Sequence, residues 1–260
     1  MLRPLAVAVA AGLALALAGC ADGGAAGDTA GGARVLSVFA AASLTDAFSE
    51  IGEVFSSSSP TSSPGVEVRF NFGPSSGLLT QLLEGAPADV YASADEATMD
   101  EARAGGAVAE RPTAFARNVL ALAVPAGNPV RVRGLADLAR DELLVGLCAA
   151  EVPCGRLARQ LLDREAVRVA PDTEEPDVRS LLTKIEAGEL DAGLVYRSDV
   201  RAGGARVEGI EVPESEEVGT TYPVAPVARA AEPELARAFV AFVVSGEGRR
   251  ILADHGFLAP

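Results

Sequence analysis

Three short stretches of the sequence carry a hydroxyl or a thiol just before an apolar helical pattern. Ser43 lies in FAAASLTDAF, Ser75 in FGPSSGLLTQ, and Cys154 in VPCGRLARQLL. Each stretch is typical of an ordinary helix N-cap, and Asp46, three residues after Ser43, would complete a variant capping box. Helix N-termini also expose unpaired N–H groups and partial positive charge, so several that converge can form an anion site. The three alanines before Ser43 leave room for an ion to reach the backbone.

Tyr196 ends the apolar run AGLVY, where a phenol can donate a hydrogen bond into a cleft, although core packing is the alternative. Catalytic patterns are absent from the sequence: there is no G-x-S-x-G, H-E-x-x-H or P-loop. His255 is the only histidine and lies near the C-terminus, which favours a surface or packing role. We therefore predict a protein that is not an enzyme.

The N-terminus predicts export. Residues 1–19 contain Arg3 followed by the apolar stretch LAVAVAAGLALALA, which is typical of a secretory signal peptide. The signal ends in LAGC, which resembles a bacterial lipobox whose cysteine, Cys20, is lipidated; an ordinary signal with a chance cysteine is the alternative. Residues 20–33 are too poor in large side chains to pack, which predicts a flexible tether.

Charge and cysteine content narrow the function classes further. The 260 residues carry a formal net charge of −14, which argues against a general affinity for nucleic acid or for acidic membrane surfaces. In an oxidising exterior compartment, Cys148 and Cys154 most simply form a disulfide. Zinc is a poor alternative, because the chain has one histidine and no C-x-x-C.

Strands and helices alternate from Arg34 onward, which predicts an α/β architecture. A first set of elements is followed by NVLALAV (118–124), which we interpret as a strand that crosses between lobes. A second set contains the predicted strands LLVGL, VRV and AGLVY, with helices from Gly155 and near Val178. The strand YPVAPVA and two terminal helices then return to the first set. We predict lobe one as residues 34–117 plus 223–260 and lobe two as residues 118–222.

Six motifs, taken in order, together resemble the molybdate-binding protein (ModA) family of ABC importers. They are VFAAASLTDAF, GAPADVYASAD, NVLALAVP, EVPCGRLA, DVRSLLTKIEAGELDAGLVYRSD and YPVAPV. The resemblance covers nearly the whole chain from residue 34 to 260. It implies a two-lobed class II periplasmic-binding-protein fold that closes on a tetrahedral oxyanion in the cleft between the lobes. By motif, the implied contacts are the hydroxyls and N–H groups of Ser43 and Ser75, the N–H groups of Cys154 and Val178, and the hydroxyl of Tyr196. Pro74, before the second serine, departs from the commonest family pattern.

The same resemblance implies an extracytoplasmic lipoprotein, held at the cell membrane through Cys20, that delivers molybdate or tungstate to a separate ABC permease and its ATPase. Molybdenum would be bound only as the oxyanion, with no direct side-chain ligand and no cofactor, and the protein would act as a monomer. Three alternatives stay open. One is a binding protein for another tetrahedral oxyanion such as sulfate. Another is a sensor or adhesion lipoprotein, and the third is a lipid-anchored hydrolase, although neither candidate serine has a partner base.

Overall fold

The computed structural model describes residues 34–58 and 65–260. The predicted signal peptide, the lipidation site Cys20 and the whole predicted tether (20–33) lie outside these residues. The strands are β1 (Arg34–Ala41), β2 (Val66–Gly73), β3 (Val90–Ala92), β4 (Thr113–Asn118), β5 (Leu120–Pro125), β6 (Val145–Cys148), β7 (Thr173–Glu175), β8 (Ala192–Tyr196), β9 (Val207–Ile210) and β10 (Thr220–Pro226). The α-helices are α1 (Thr45–Ser58), α2 (Ser75–Leu83), α3 (Glu96–Ala104), α4 (Pro153–Arg164), α5 (Val178–Glu186), α6 (Arg197–Gly203), α7 (Pro233–Val243) and α8 (Gly246–Asp254).

The strands form two five-stranded sheets with the same plan. The first sheet has the order β2-β1-β3-β10-β4 and the second the order β7-β6-β8-β5-β9. In each sheet the first three strands are parallel, and the fourth runs antiparallel to both of its neighbours. The fourth strand in each case lies next to a crossing between the sheets. The predicted two-lobed α/β architecture is confirmed.

Each sheet has its own apolar core. In the first, β1 buries Leu36 and Val38, and Phe48 of α1 packs against Phe115 and Phe239 with ring centroids 5.5 and 6.0 Å apart. In the second, a separate cluster is formed by side chains of β5, β8, α4 and α5. Because each lobe buries its own apolar residues, the surface between the lobes is free to be polar where a ligand requires it.

The chain crosses between the sheets twice, between β4 and β5 and again between β9 and β10. NVLALAV is not one strand, because β4 ends at Asn118 and β5 begins at Leu120. On the return, β10 begins at Thr220, which pairs with Asn118 inside the first sheet. Residues 118 and 220–222, which the prediction assigned to lobe two, therefore lie in the sheet of lobe one.

The predicted strand VRV is wrong. Val167 and Val169 pack as a loop against the second core, and the strand forms farther along the chain, at β7. Alternation of apolar residues can bury one side of an extended loop as well as one side of a strand, and only the pairing of β7 with β6 decides between them. Within residues 34–58 and 65–260, no helix combines the length and the apolar character needed to cross a membrane.

Candidate functional site

The five predicted ligand residues all lie where parallel strands end. Ser43 and Ser75 follow β1 and β2 of the first sheet, Cys154 and Val178 follow β6 and β7 of the second, and Tyr196 is the last residue of β8. Ligands of open α/β sheets bind outside the carboxyl ends of the strands. One cavity is lined by all five residues. The structure thus brings these five residues together, from both lobes.

Ser43 does not cap a helix, which corrects the predicted capping box. It lies in a 3-10 turn, Ala42–Leu44, whose preceding residue makes no side-chain capping bond, and α1 begins only at Thr45. The Oγ atom of Ser43 lies 2.9 Å from the hydroxyl oxygen of Tyr222. Asp46 forms an ion pair with Arg179 instead of completing a box. The buried hydroxyl of Ser43 is therefore not used to satisfy its own helix.

Ser75 is the first residue of α2 and is held from two directions. Its Oγ atom accepts a hydrogen bond from the N–H of Ala94 at 3.0 Å, and the Tyr91 hydroxyl donates to the Ser75 carbonyl at 2.8 Å. Pro74 precedes it in extended conformation and makes no capping bond. Because a serine hydroxyl has one proton and two lone pairs, accepting from Ala94 leaves its proton for the cavity.

Cys154 contributes its backbone, because its side chain is engaged elsewhere. Cys148 and Cys154 are joined by a disulfide with a Cα–Cα distance of 5.8 Å. Helix α4 begins at Pro153, two residues before the predicted start, and proline has no N–H, so Cys154 supplies the first N–H of the helix. Gly155 allows the tight turn, since a Cβ there would lie 1.8 Å from the carbonyl oxygen of Ala149.

Val178 is the first residue of α5, and the cap of this helix leaves its N–H unused. The carboxylate of Asp177 accepts hydrogen bonds from the N–H groups of Arg179 and Ser180, at 2.8 and 2.9 Å. The N–H of a first helical residue has no acceptor within its helix. Asp177 also lines the cavity, but these bonds direct its oxygens toward the helix.

Tyr196 has the most unusual environment in the cavity. The residue is buried, and its hydroxyl is without a hydrogen-bond partner among the described residues. Burial raises the pKa of Tyr196 well above its ordinary value, so the hydroxyl keeps its proton and is a donor. Asp199, in the first turn of α6, accepts a hydrogen bond from the Tyr196 N–H at 3.1 Å. Burial raises the pKa of Asp199 to about 7.

Ion pairs join the two lobes through residues that lie close in sequence to those lining the cavity. Arg156 of α4 contacts Asp95, which follows β3, at 2.5 Å, and also reaches the Thr98 hydroxyl at 2.7 Å. Arg179 of α5 pairs with Asp46 of α1. Sequence reasoning did not identify these pairs, because nothing local connects Arg156 with a carboxylate 61 residues away.

Two further residues of the site were not predicted. Asp177 had a local signal, since an aspartate directly before a helix is a favoured N-cap. Tyr222 had a weaker signal, because it is the first residue of the predicted strand YPVAPVA. In the part of the chain that the structure describes, no group of three or more His, Cys, Asp or Glu side chains could hold a metal ion directly.

Comparison with known proteins agrees with this geometry. The sequence profile described as bacterial extracellular solute-binding protein matches residues 36–258. The molybdate-binding protein ModA of Mycobacterium tuberculosis is 44% identical over 255 residues, which are 97% of this chain and 96% of that protein.

Two solved structures share the fold. The sulfate-binding protein SubI from Mycobacterium tuberculosis has a TM-score of 0.75 and 20% identity, with 86% of each chain covered. The periplasmic molybdate-binding protein of Azotobacter vinelandii has a TM-score of 0.73 and 19% identity, covering 86% of this chain and 99% of that one. At these identities the structures bear on the fold alone. By the sequence profile and the 44% identity, the chain belongs to the bacterial extracellular solute-binding proteins, which are not enzymes, and within them to the ModA family.

Proposed function

We propose that this protein captures molybdate, or the closely similar tungstate, between its lobes and delivers the ion to an ABC importer. The observation that carries the proposal is that donors from both lobes line one cavity, in which the buried Tyr196 hydroxyl has no hydrogen-bond partner within residues 34–58 and 65–260. An unsatisfied buried hydroxyl is costly, so its presence favours a ligand that accepts from it. The proposed ligand residues are Ser43, Ser75, Cys154, Val178 and Tyr196.

The donor set suits an unprotonated dianion. The three hydroxyls and the backbone N–H groups of the cavity are neutral donors, and none is an obligate acceptor. Molybdate, tungstate and sulfate can accept from every side, whereas monohydrogen phosphate carries a proton that needs an acceptor. Among the described residues that line the cavity, the one carboxylate is that of Asp177. Its Oδ1 already accepts two backbone hydrogen bonds, and its Oδ2 accepts one from the Ser180 hydroxyl at 3.3 Å. Phosphate is therefore disfavoured, and sulfate is disfavoured by its smaller size.

The expected affinity follows from the donors. About seven hydrogen bonds to a charged group, at about 1.5–3 kcal/mol each, exceed what binding requires. Ordering, desolvation and closure of the lobes reduce the net free energy to about 8–12 kcal/mol, which corresponds to micromolar to nanomolar dissociation constants. The neutral donors also explain how a chain with a net charge of −14 can hold an anion, because local dipoles dominate at this distance.

Delivery requires export and a membrane partner. We propose that the signal ends before Cys20, that lipid on this cysteine holds a monomer at the membrane, and that residues 20–33 act as the tether. The two lobes, which divide near residues 118 and 220, would close on the ion and present a joint surface to a separate permease and its ATPase. The lipobox sequence LAGC and the membership of the solute-binding family support this arrangement.

The test is isothermal titration of residues 34–260 with molybdate, tungstate, sulfate and phosphate. We expect one-to-one binding of molybdate and tungstate and no heat from the other two. Tighter binding of sulfate than of molybdate would show that the ligand is the alternative oxyanion. Absence of heat from all four would contradict the anion site itself and favour a sensor or adhesion role.

A further inference from the structure

Tyr222 contacts two of the proposed ligand side chains without lining the cavity. It lies on β10 in the first sheet and is fully buried. Its hydroxyl oxygen is 2.9 Å from the Oγ atom of Ser43. Its ring meets that of Tyr196, from the second sheet, with centroids 5.9 Å apart and planes at 72°. A single residue of the return crossing is therefore in contact with one ligand side chain from each lobe.

The direction of the bond between Tyr222 and Ser43 matters for an anion. Either hydroxyl can donate in the absence of a ligand. If Ser43 donated to Tyr222, its lone pairs would face the ligand and repel a dianion. If Tyr222 donates, the Oγ of Ser43 accepts and its own proton is left for the ligand. Burial raises the pKa of Tyr222, so this donor proton is retained at every physiological pH.

Ser75 shows the same arrangement with a different donor. Its Oγ accepts from the backbone N–H of Ala94 at 3.0 Å, which directs its hydroxyl proton away from that bond. Both serines thus have an internal group that can donate to the hydroxyl oxygen. For Ser43 that donor is a side chain, which makes the arrangement open to substitution. Successive hydrogen bonds of this kind polarise and strengthen one another in a buried site.

We propose that Tyr222 is a positioning residue that donates to Ser43 and thereby turns the Ser43 hydroxyl proton toward the bound oxyanion. Its ring also holds Tyr196 edge-to-face, in the arrangement that aromatic pairs prefer. The inference rests on the proposed oxyanion function of the cavity and adds a residue that does not touch the ligand.

The experiment is a double-mutant cycle on the full chain, exported and purified in detergent, with molybdate affinity measured by calorimetry. The variants are Ser43→Ala, Tyr222→Phe and the two combined. Tyr222→Phe keeps the ring and removes one oxygen, and we expect it to weaken binding about 3–10-fold. Ser43→Ala should weaken binding about 10–100-fold, as expected for a lost hydrogen bond to a charged group. The combined variant should bind no more weakly than Ser43→Ala alone, because the Tyr222 hydroxyl acts only through Ser43.

Tyr91→Phe is the matched control, since Tyr91 is equally buried but donates to the Ser75 carbonyl instead of to a ligand hydroxyl. The loss of molybdate affinity caused by Tyr91→Phe should add to the loss caused by Ser43→Ala. A purely structural role of Tyr222 would likewise give additive losses, and that result, or unchanged affinity in Tyr222→Phe, would overturn the inference. If the unmodified chain bound no molybdate, the proposed function would fail and this inference with it. Additive losses in a chain that binds normally reject only the role of Tyr222.

Discussion

The substitution Tyr196→Phe is expected to weaken ligand binding and to stabilise the ligand-free protein at the same time. The hydroxyl that it removes is buried and without a partner among the described residues. A lost hydrogen bond to a charged ligand is worth about 1.5–3 kcal/mol, which lowers molybdate affinity about 10- to 100-fold. Without ligand, the unpartnered hydroxyl costs free energy, so its removal should raise the free energy of unfolding by about 1 kcal/mol. For a chain of this size that is a rise in Tm of about 2–4 °C.

Both quantities can be measured on one preparation, by calorimetric titration and by thermal unfolding after bound anion has been removed. Tyr91→Phe is again the control, because the Tyr91 hydroxyl donates to a buried carbonyl at 2.8 Å and its loss should lower Tm. A fall in Tm for Tyr196→Phe would mean that its hydroxyl has an internal partner. Unchanged affinity would mean that the hydroxyl does not meet the ligand. Either result would refute the reasoning.

Three further predictions concern the ion pair of Arg156 with Asp95, the disulfide between Cys148 and Cys154, and the buried carboxyl of Asp199. Arg156→Gln removes the partly exposed ion pair with Asp95 that joins the lobes. It should weaken molybdate binding about 2–5-fold, and by less at high salt, because salt screens an exposed ion pair. The same loss of affinity at about 50 mM and about 500 mM salt would contradict this prediction. Replacing Cys148 and Cys154 by serine should lower the free energy of unfolding by about 2 kcal/mol, seen as a lower Tm, while the backbone donor at position 154 is retained; an unchanged Tm would be evidence against a stabilising disulfide. Burial raises the pKa of Asp199 from 3.8 to about 7, so its stabilising contribution is complete below pH 4 and is lost as pH rises toward 7. Asp199→Asn should flatten the unfolding free energy between these pH values, and a persistent slope of the same size would assign the pH dependence to other groups.

The sequence by itself determined the parts of the site that are local in the chain. An N–H donor at the start of a helix depends on a strand end, a small corner and the first helical turn, and all three are visible within about ten residues, as at Ser75 and Cys154. Alternation of strands and helices likewise determined the α/β class. The motifs identified the family and, through it, led to Val178 as a proposed backbone donor.

Only the tertiary structure decided which distant groups stand behind those donors. Ser43 and Tyr222 are 179 residues apart, and their contact depends on β10 entering the first sheet between β3 and β4. The pairing of Arg156 with Asp95 likewise requires the two lobes to meet. The capping box at Ser43 was wrong for the same reason, because a distant tyrosine competes for the hydroxyl that the local sequence assigns to its helix. Local spacing determines which backbone groups are free to bind, whereas sheet order and lobe contact determine the environment of each side chain.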